Sequence, residues 1–304
     1  MNGPKSLYQN GGQSMALISK IGHKIHDYGV LVMFQHTIFS FAFGLVSMLL
    51  AADGRLVWSK LVLLLIALLA ARTGANAINR VIDAEIDEAN PRTRTRQIPQ
   101  GKMTKREALL FSIICFAIML VAAAFMNRTS LWLAPVALFF MVIYSYTKRF
   151  TAFCHLVLAF TCAMAPAGAW IAMTGTVSWT AIFLAGANMF WVAGFDIIYG
   201  AQDVDFDRSH GIHSIPAALG VAGGLLVAKL FHVIAFSCLV IVGLLVPQFS
   251  WIYWGGLLVI GILLMVEHAV VRPDHLAHAE IASYNVNELV SVVFLLTGVL
   301  DIFI

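Results

Sequence analysis

Residues 61–87 read LVLLLIALLAARTGANAINRVIDAEID. The stretch starts as unbroken hydrocarbon and ends as a run of arginine, asparagine and acid. The apolar part spans 57–82, more than the roughly 20 residues an α-helix needs to cross a bilayer. Similar runs recur at 30–51, 107–126, 131–147, 151–174, 178–200, 217–246, 249–271 and 286–304. The expectation is an all-α integral membrane protein, a bundle of nine transmembrane helices around an internal cavity open to lipid. The first run is too long for a signal-peptide core and no A-x-A site follows it, so it reads as a retained helix.

Composition agrees. Hydrophobic residues make up 60% of the 304 and charged residues only 12%, with a mean hydropathy of +0.86. Soluble domains carry about 45–50% apolar and about 25% charged residues. A soluble enzyme, a nucleic-acid binder and a disordered chain are thereby excluded, and a net charge of +3 is too small to suggest a polyanionic partner. Cys115, Cys154, Cys162 and Cys238 lie in apolar runs without metal-type spacing and read as free thiols. No obligate protein partner is evident. The chain reads as a single membrane domain, 1–304, with a polar tail over 1–20 and related halves at about 30–150 and 151–304.

Orientation follows from the basic residues. With the N-terminus inside, the inner segments hold 14 of them: Lys5, Lys20, Lys24, Arg80, Arg92, Arg94, Arg96, Lys102, Lys105, Arg106, Lys148, Arg149, Arg208 and Arg272. The outer loops hold three, Arg55, Lys60 and Arg128. The N-terminus is expected in the cytoplasm and the C-terminus outside a bacterial-type inner membrane.

Eight of the 16 acids crowd into two windows on the inner side: Asp83, Glu85, Asp87 and Glu88, then Asp196, Asp203, Asp205 and Asp207. Both windows run on to an Ile-Pro pair, Ile98-Pro99 and Ile215-Pro216. Helical residues four apart share a face, so Asn79, Asp83 and Asp87 form a ladder, with Asn76 and Arg72 deeper on the same side. Asp196, Tyr199, Asp203 and Asp207 form a second, with Asp205 pointing away. Stacked carboxylates repel and are costly at a membrane edge unless paired or metal-bound. Oxygen ligands suit Mg²⁺, which is commonly held by one or two carboxylates plus substrate phosphates. Arg92, Arg96, Lys148, Arg149 and Arg208 are candidates for phosphate oxygens, although cytoplasmic loops attract basic residues in any case. Arg72, within a span, is a candidate for a substrate anion. His36, between Gln35 and Thr37, is a polar site inside a span and an acceptor-site candidate. The HxxH pairs His23/His26, His210/His213 and His275/His278 read as interfacial histidines rather than zinc ligands.

These residues resemble the UbiA-type membrane prenyltransferases, whose N-D-x-x-D-x-x-x-D, R-T-x-x-R-P, Y-x-x-x-K-R and D-x-x-x-D segments are matched in order by N79-R-V-I-D83-A-E-I-D87, R92-T-R-T-R96-Q, Y144-S-Y-T-K148-R149 and D203-V-D-F-D207. Arg80 stands where the family often has Asp, and Gln97 where Pro is usual. The N-R-x-I-D and N-P-R-T forms resemble the branch acting on 4-hydroxybenzoate or dihydroxynaphthoate. The resemblance implies Mg²⁺-dependent transfer of a polyprenyl group from its diphosphate to a ring carbon of an aromatic acid in quinone biosynthesis. Asn79, Asp83, Asp87, Asp203 and Asp207 would be the metal ligands, and Asp83, Asp203 and Asp196 the catalytic acids. Arg72, Asn76, Arg92, Arg96, Lys148, Arg149, Tyr199, Arg208 and His36 would bind substrate, with Asp196 and Arg72 orienting the acceptor. An ion-coupled transporter is the rival from another class, but its acids would sit near mid-membrane. Another diphosphate-using lipid transferase, of the CDP-alcohol type, would need a D-G-x-x-A-R run that is missing.

Overall fold

The computed structural model describes residues 37–276 and 279–304. The described residues are all helical apart from the connecting loops. The long helices are α1 (Thr37–Ala51), α2 (Trp58–Ile82), α4 (Lys105–Met126), α5 (Arg128–Thr147), α6 (Cys154–Thr174), α7 (Trp179–Gly200), α9 (Ile215–Leu245), α10 (Trp251–Val270) and α11 (Asn287–Phe303). Two short helices, α3 (Ala84–Ala89) and α8 (Val204–Ser209), follow α2 and α7. A π turn over Ala282–Val286 leads into α11.

Among the described residues, eight helices are long and apolar enough to span a membrane. The expected count of nine is met only to that extent, because α1 is described from Thr37 and is 15 residues long. His36 lies outside the described residues, as do the tail over 1–20, His23, His26 and His278. Helix boundaries match the apolar runs because polar caps punctuate them. Thr104 and Glu107 form a reciprocal capping box on α4. Ser178 and Ser214 cap α7 and α9. Gly175 ends α6 with φ 73°, a left-handed backbone that glycine adopts without strain. The expected start of α5 at 131 moves to Arg128, because the Asn127 side chain accepts from Ser130 N at 2.8 Å and opens the helix earlier.

Lipid is as apolar as the helices, so close packing and a few polar links hold the bundle together. The main neighbours are α7 with α9, α2 with α4, α6 with α7, α1 with α6, and α1 with α11. Phe43 stacks between Trp191 and Phe294, at 5.5 and 4.3 Å between ring centroids, and ties α1 to α7 and α11. Gly194 allows α9 to approach α7, because a Cβ there would overlap the His232 ring at 2.2 Å. A buried polar cluster lies between α7, α9, α10 and the start of α11. Asn287 donates to Glu267 Oε1 at 2.8 Å and to the Ala282 carbonyl at 3.2 Å, and it accepts from Trp191 Nε1 at 2.5 Å. His232 and His268 meet at 2.9 Å beside it. Asn287 thereby stitches the π turn.

The two ends of the bundle differ. Exposed Trp58, Trp132, Trp179 and Trp251 stand near the N-terminal ends of α2, α5, α7 and α10, as an interfacial aromatic belt would. The opposite end carries both acid windows.

Candidate active site

Both windows form where a long helix stops. The α2 ladder was expected to be one continuous helix. Instead, Asp83 leaves helical geometry (φ −94°, ψ 5°) between α2 and α3. The i to i−4 backbone bonds still run through it, from Asp83 N to Asn79 O at 2.9 Å and from Asp87 N to Asp83 O at 2.8 Å, so the face is kept. Asp203 adopts nearly the same backbone (φ −100°, ψ 6°) after a single 3₁₀ turn, Ala201–Asp203. The two helix ends are thus built alike, 120 residues apart.

The four aspartates are inside or nearly so, and each meets a partner. Asp83 accepts from Asn79 Nδ2 at 2.6 Å and pairs with Lys148 Nζ at 2.8 Å and Arg149 Nη1 at 3.2 Å. Arg149 is fixed by the carbonyls of Ser145 and Ile82, both at 2.8 Å. Asp87 Oδ1 pairs with Arg96 Nη1 at 2.6 Å, whereas its Oδ2 is buried without a hydrogen bond among the described residues. Asp207 Oδ2 accepts from Ser214 Oγ at 2.7 Å, the same hydroxyl that caps α9. Asp205 is exposed, as the ladder requires.

The windows are joined through Arg92. Its Nε donates to Asp203 Oδ1 at 2.9 Å, its Nη2 pairs with Asp203 Oδ2, and its Nη1 donates to the Tyr199 hydroxyl. Its guanidinium also lies 4.4 Å from the Tyr199 ring centroid. Asn90 adds a bond to Asp203 at 3.1 Å. Burial disfavours the charge on Arg92, but its hydrogen bonds to Asp203 and Tyr199 outweigh burial and raise its pKa above the ordinary value. The loop sends Arg92 and Arg96 inward and leaves Arg94 in solvent.

Deeper in the bundle, the Arg72 Nε is buried without a hydrogen-bond partner among the described residues. Cys162, Tyr144 and Tyr284 bear on this guanidinium, and no carboxylate of the described residues does. The internal ion pair that α2 could have offered Arg72 is therefore not formed, because Asp83 and Asp87 turn to Lys148, Arg149 and Arg96. Asn76 is half-buried between Arg72 and Asn79 on the same helix. Arg208 does not join the cluster. It is exposed and donates to the Ala217 carbonyl at 2.8 Å, because one residue past Asp207 the α8 spiral carries it to the outer face. The buried Arg80 lies in range of Asp87 and Arg96, where the family often has an acid.

Several contributors carried no signal of their own in the sequence. Asn90, Ser145 and Ser214 are polar residues in loops or at helix ends. Tyr284 sits on the π turn with its ring 5.0 Å from that of Tyr199. His155 meets Asp196 at 2.6 Å.

Among the described residues, no three His, Cys, Asp or Glu side chains gather into a ready-made cage. Asn79, Asp83, Asp87, Asp203 and Asp207 nevertheless offer hard oxygen donors, four carboxylates and one amide, at the two helix ends, and among the described residues the buried Asp87 Oδ2 has no hydrogen-bond partner. A metal held by one or two carboxylates and completed by substrate phosphate fits such a set, and a full protein cage is not required.

Comparison with known proteins agrees with this architecture. The pattern of the UbiA prenyltransferase family matches residues 40–289. A 4-hydroxybenzoate octaprenyltransferase of Nitrosomonas europaea is 34% identical over 229 residues, which cover 73% of this chain and 76% of that protein. One of Nitrosomonas eutropha is 32% identical over 252 residues, covering 81% and 85%. The solved structure of a UbiA homolog from Aeropyrum pernix K1 superposes with a TM-score of 0.80 at 29% identity, covering 88% of this chain and 98% of that one. A UbiA homolog from Archaeoglobus fulgidus bound to DMAPP and Mg²⁺ shares the fold, with a TM-score of 0.67 at 18% identity over 91% and 99%. Facing acid-rich helix ends, the basic loop that bridges them and these likenesses lead to one conclusion: the chain belongs to the UbiA prenyltransferase family and is a membrane prenyltransferase.

Proposed function

We propose that the protein transfers a polyprenyl group from its diphosphate to a ring carbon of an aromatic acid of the 4-hydroxybenzoate or 1,4-dihydroxy-6-naphthoate type, a step of quinone biosynthesis. The observation that carries this reading is the grip of Arg92, from the first window, on Asp203 of the second, which makes the two windows one site. The 4-hydroxybenzoate octaprenyltransferases among the relatives support the acceptor class.

Asn79, Asp83, Asp87, Asp203 and Asp207 would hold Mg²⁺, and when bound it would offset the charge of the departing diphosphate. Arg92, Arg96, Lys148 and Arg149 already stand over the acids and are placed to turn to phosphate oxygens, the guanidinium groups by paired donors and Lys148 as a point charge. Fixed cations aimed at the leaving group favour cleavage of the allylic C–O bond. Arg72 is half-buried and deeper than the diphosphate cradle, and a carboxylate of the acceptor would satisfy its buried Nε. Asp196 takes the proton that the ring loses. An apolar chamber open to lipid would admit the isoprenoid tail and keep water from the allylic cation.

The direct test uses purified protein, Mg²⁺, a radiolabelled polyprenyl diphosphate and a panel of aromatic acids. Label is expected to pass to a hydroxybenzoate-type acid only when diphosphate and metal are both present. If no aromatic acid takes up label while the diphosphate is bound, the acceptor class is wrong. The charge asymmetry gives a second expectation, that both substrates meet the site from the cytoplasmic face. In intact cells Arg94→Cys should escape impermeant thiol reagents that modify Arg55→Cys, and in inverted vesicles the pattern should reverse. The opposite labelling would overturn the orientation.

A further inference from the structure

His155 opens the first turn of α6 and is 6% exposed. Its Nδ1 lies 2.6 Å from Oδ2 of Asp196 on α7. A quarter of the Asp196 side chain is exposed, with a fractional value of 25%. Among the described residues its polar contact uses Oδ2, which leaves Oδ1 for a ligand. Gly200, one turn further along α7, packs against the ring, and a Cβ there would come within 3.0 Å of His155 Cε1. Among the described residues His155 Nε2 is buried with no partner. A lone pair is a less costly orphan than an N–H, so the proton belongs on Nδ1, aimed at the carboxylate.

None of this serves the diphosphate. Asp196 is two helical turns, roughly 10 Å, deeper than Asp203, and its partner is no phosphate ligand. We infer that His155 is the positioning residue for proton removal: its Nδ1–H orients the Asp196 carboxylate, so that Oδ1 receives the proton leaving the aromatic ring. In that step the allylic C–O bond breaks with its electron pair going to the diphosphate. A ring π pair forms the new C–C bond. The C–H pair at the alkylated carbon then restores aromaticity while its proton passes to Oδ1. The inference rests on the proposed function, and within it on Asp196 facing the acceptor. The other titratable groups bearing on the pair are Cys154 and Cys162 of α6, Asp207 of α8 and Tyr284 of the π turn.

The test compares His155→Leu, His155→Gln and Asp196→Asn in the full-length protein, with kcat and the KM for each substrate measured. Loss of a charge-assisted hydrogen bond predicts that His155→Leu lowers kcat about ten- to hundredfold. The prenyl diphosphate KM should stay within about twofold, because hydrogen bonding at Asp196 leaves the cradle untouched. Glutamine can still donate, so His155→Gln should regain most of kcat. If Asp196→Asn is inactive while His155→Leu keeps the wild-type kcat, the inference is overturned and the proposed function stands. If Asp196→Asn is fully active, the role of Asp196 falls, and the inference with it. Should His155→Leu not accumulate in the membrane, His155→Gln decides: a kcat lowered about tenfold or more, despite an intact donor, overturns the inference.

Discussion

Asp83→Ala and Asp203→Ala should each cut prenyl transfer at least a hundred- to a thousandfold, the scale seen when one preorganised charge-stabilising group is removed from a reaction centre. Asp83 is the shared acceptor of Asn79, Lys148 and Arg149, and Asp203 is the acceptor of Arg92 and Asn90. Truncating either removes a proposed metal ligand and also releases the bases that would bind diphosphate. The bases lie at the aqueous edge, with 25% of Lys148 and 36% of Arg149 exposed, so they can be solvated once released and the bundle should survive. Asparagine at either position keeps the shape and loses the charge, and should lose nearly as much activity as alanine. Turnover of a labelled prenyl diphosphate, with yield and melting behaviour as controls, checks this. Full activity of either alanine variant at normal yield would rule out a metal site built on both windows.

Arg72→Ala is expected to raise the KM for the aromatic acid far more than that for the prenyl diphosphate, by about ten- to hundredfold, the worth of a charge-assisted hydrogen bond. Arg72 lies two turns, roughly 10 Å, below Asn79, beyond the reach of the diphosphate cradle. Among the described residues its Nε has no hydrogen-bond partner, and Tyr144, Cys162 and Tyr284 stand around it. A buried donor left unsatisfied is costly, and an acceptor carboxylate would remove that cost. Arg72→Lys should restore only part, since an ammonium cannot present a planar fork. If the substitution weakens only diphosphate binding, Arg72 belongs to the cradle. If neither KM moves and stability drops, Arg72 serves α2 packing alone.

What could be read from the sequence was what is local along the chain. The apolar runs gave the helices because hydropathy acts residue by residue. The ladder of Asn79, Asp83 and Asp87 was visible because four residues make one turn, and the backbone bonds still honour that turn although Asp83 itself leaves the helix. The second window failed at one position for the same reason it succeeded at others: Asp207 faces inward, so Arg208, 100° further round, faces out. Contacts between distant segments left no trace in spacing. His155 meets Asp196 41 residues away and Arg92 meets Asp203 111 residues away, so neither pairing had a period to reveal it. Glu267 and Asn287 were hidden in apolar stretches, and only tertiary packing makes them a pair. The π turn that presents Tyr284 is likewise a product of the Asn287 stitching and not of its own five residues.

The pairing of Asp83 with Lys148 and Arg149, of Asp87 with Arg96, and of Asp203 with Arg92 has a thermodynamic corollary for the proposed reaction. At rest, these acids and bases are counter-ions to one another. A cation drawn to the aspartates strips the bases of their anions, and a diphosphate drawn to the bases strips the aspartates of their cations. Either ligand alone exchanges one bare charge for another, whereas the two together leave none. Metal and diphosphate must then bind with mutual reinforcement, and linkage requires each to tighten the other by the same factor. The ion pairs that hold the site together before substrate arrives thus act as a latch against half-loading.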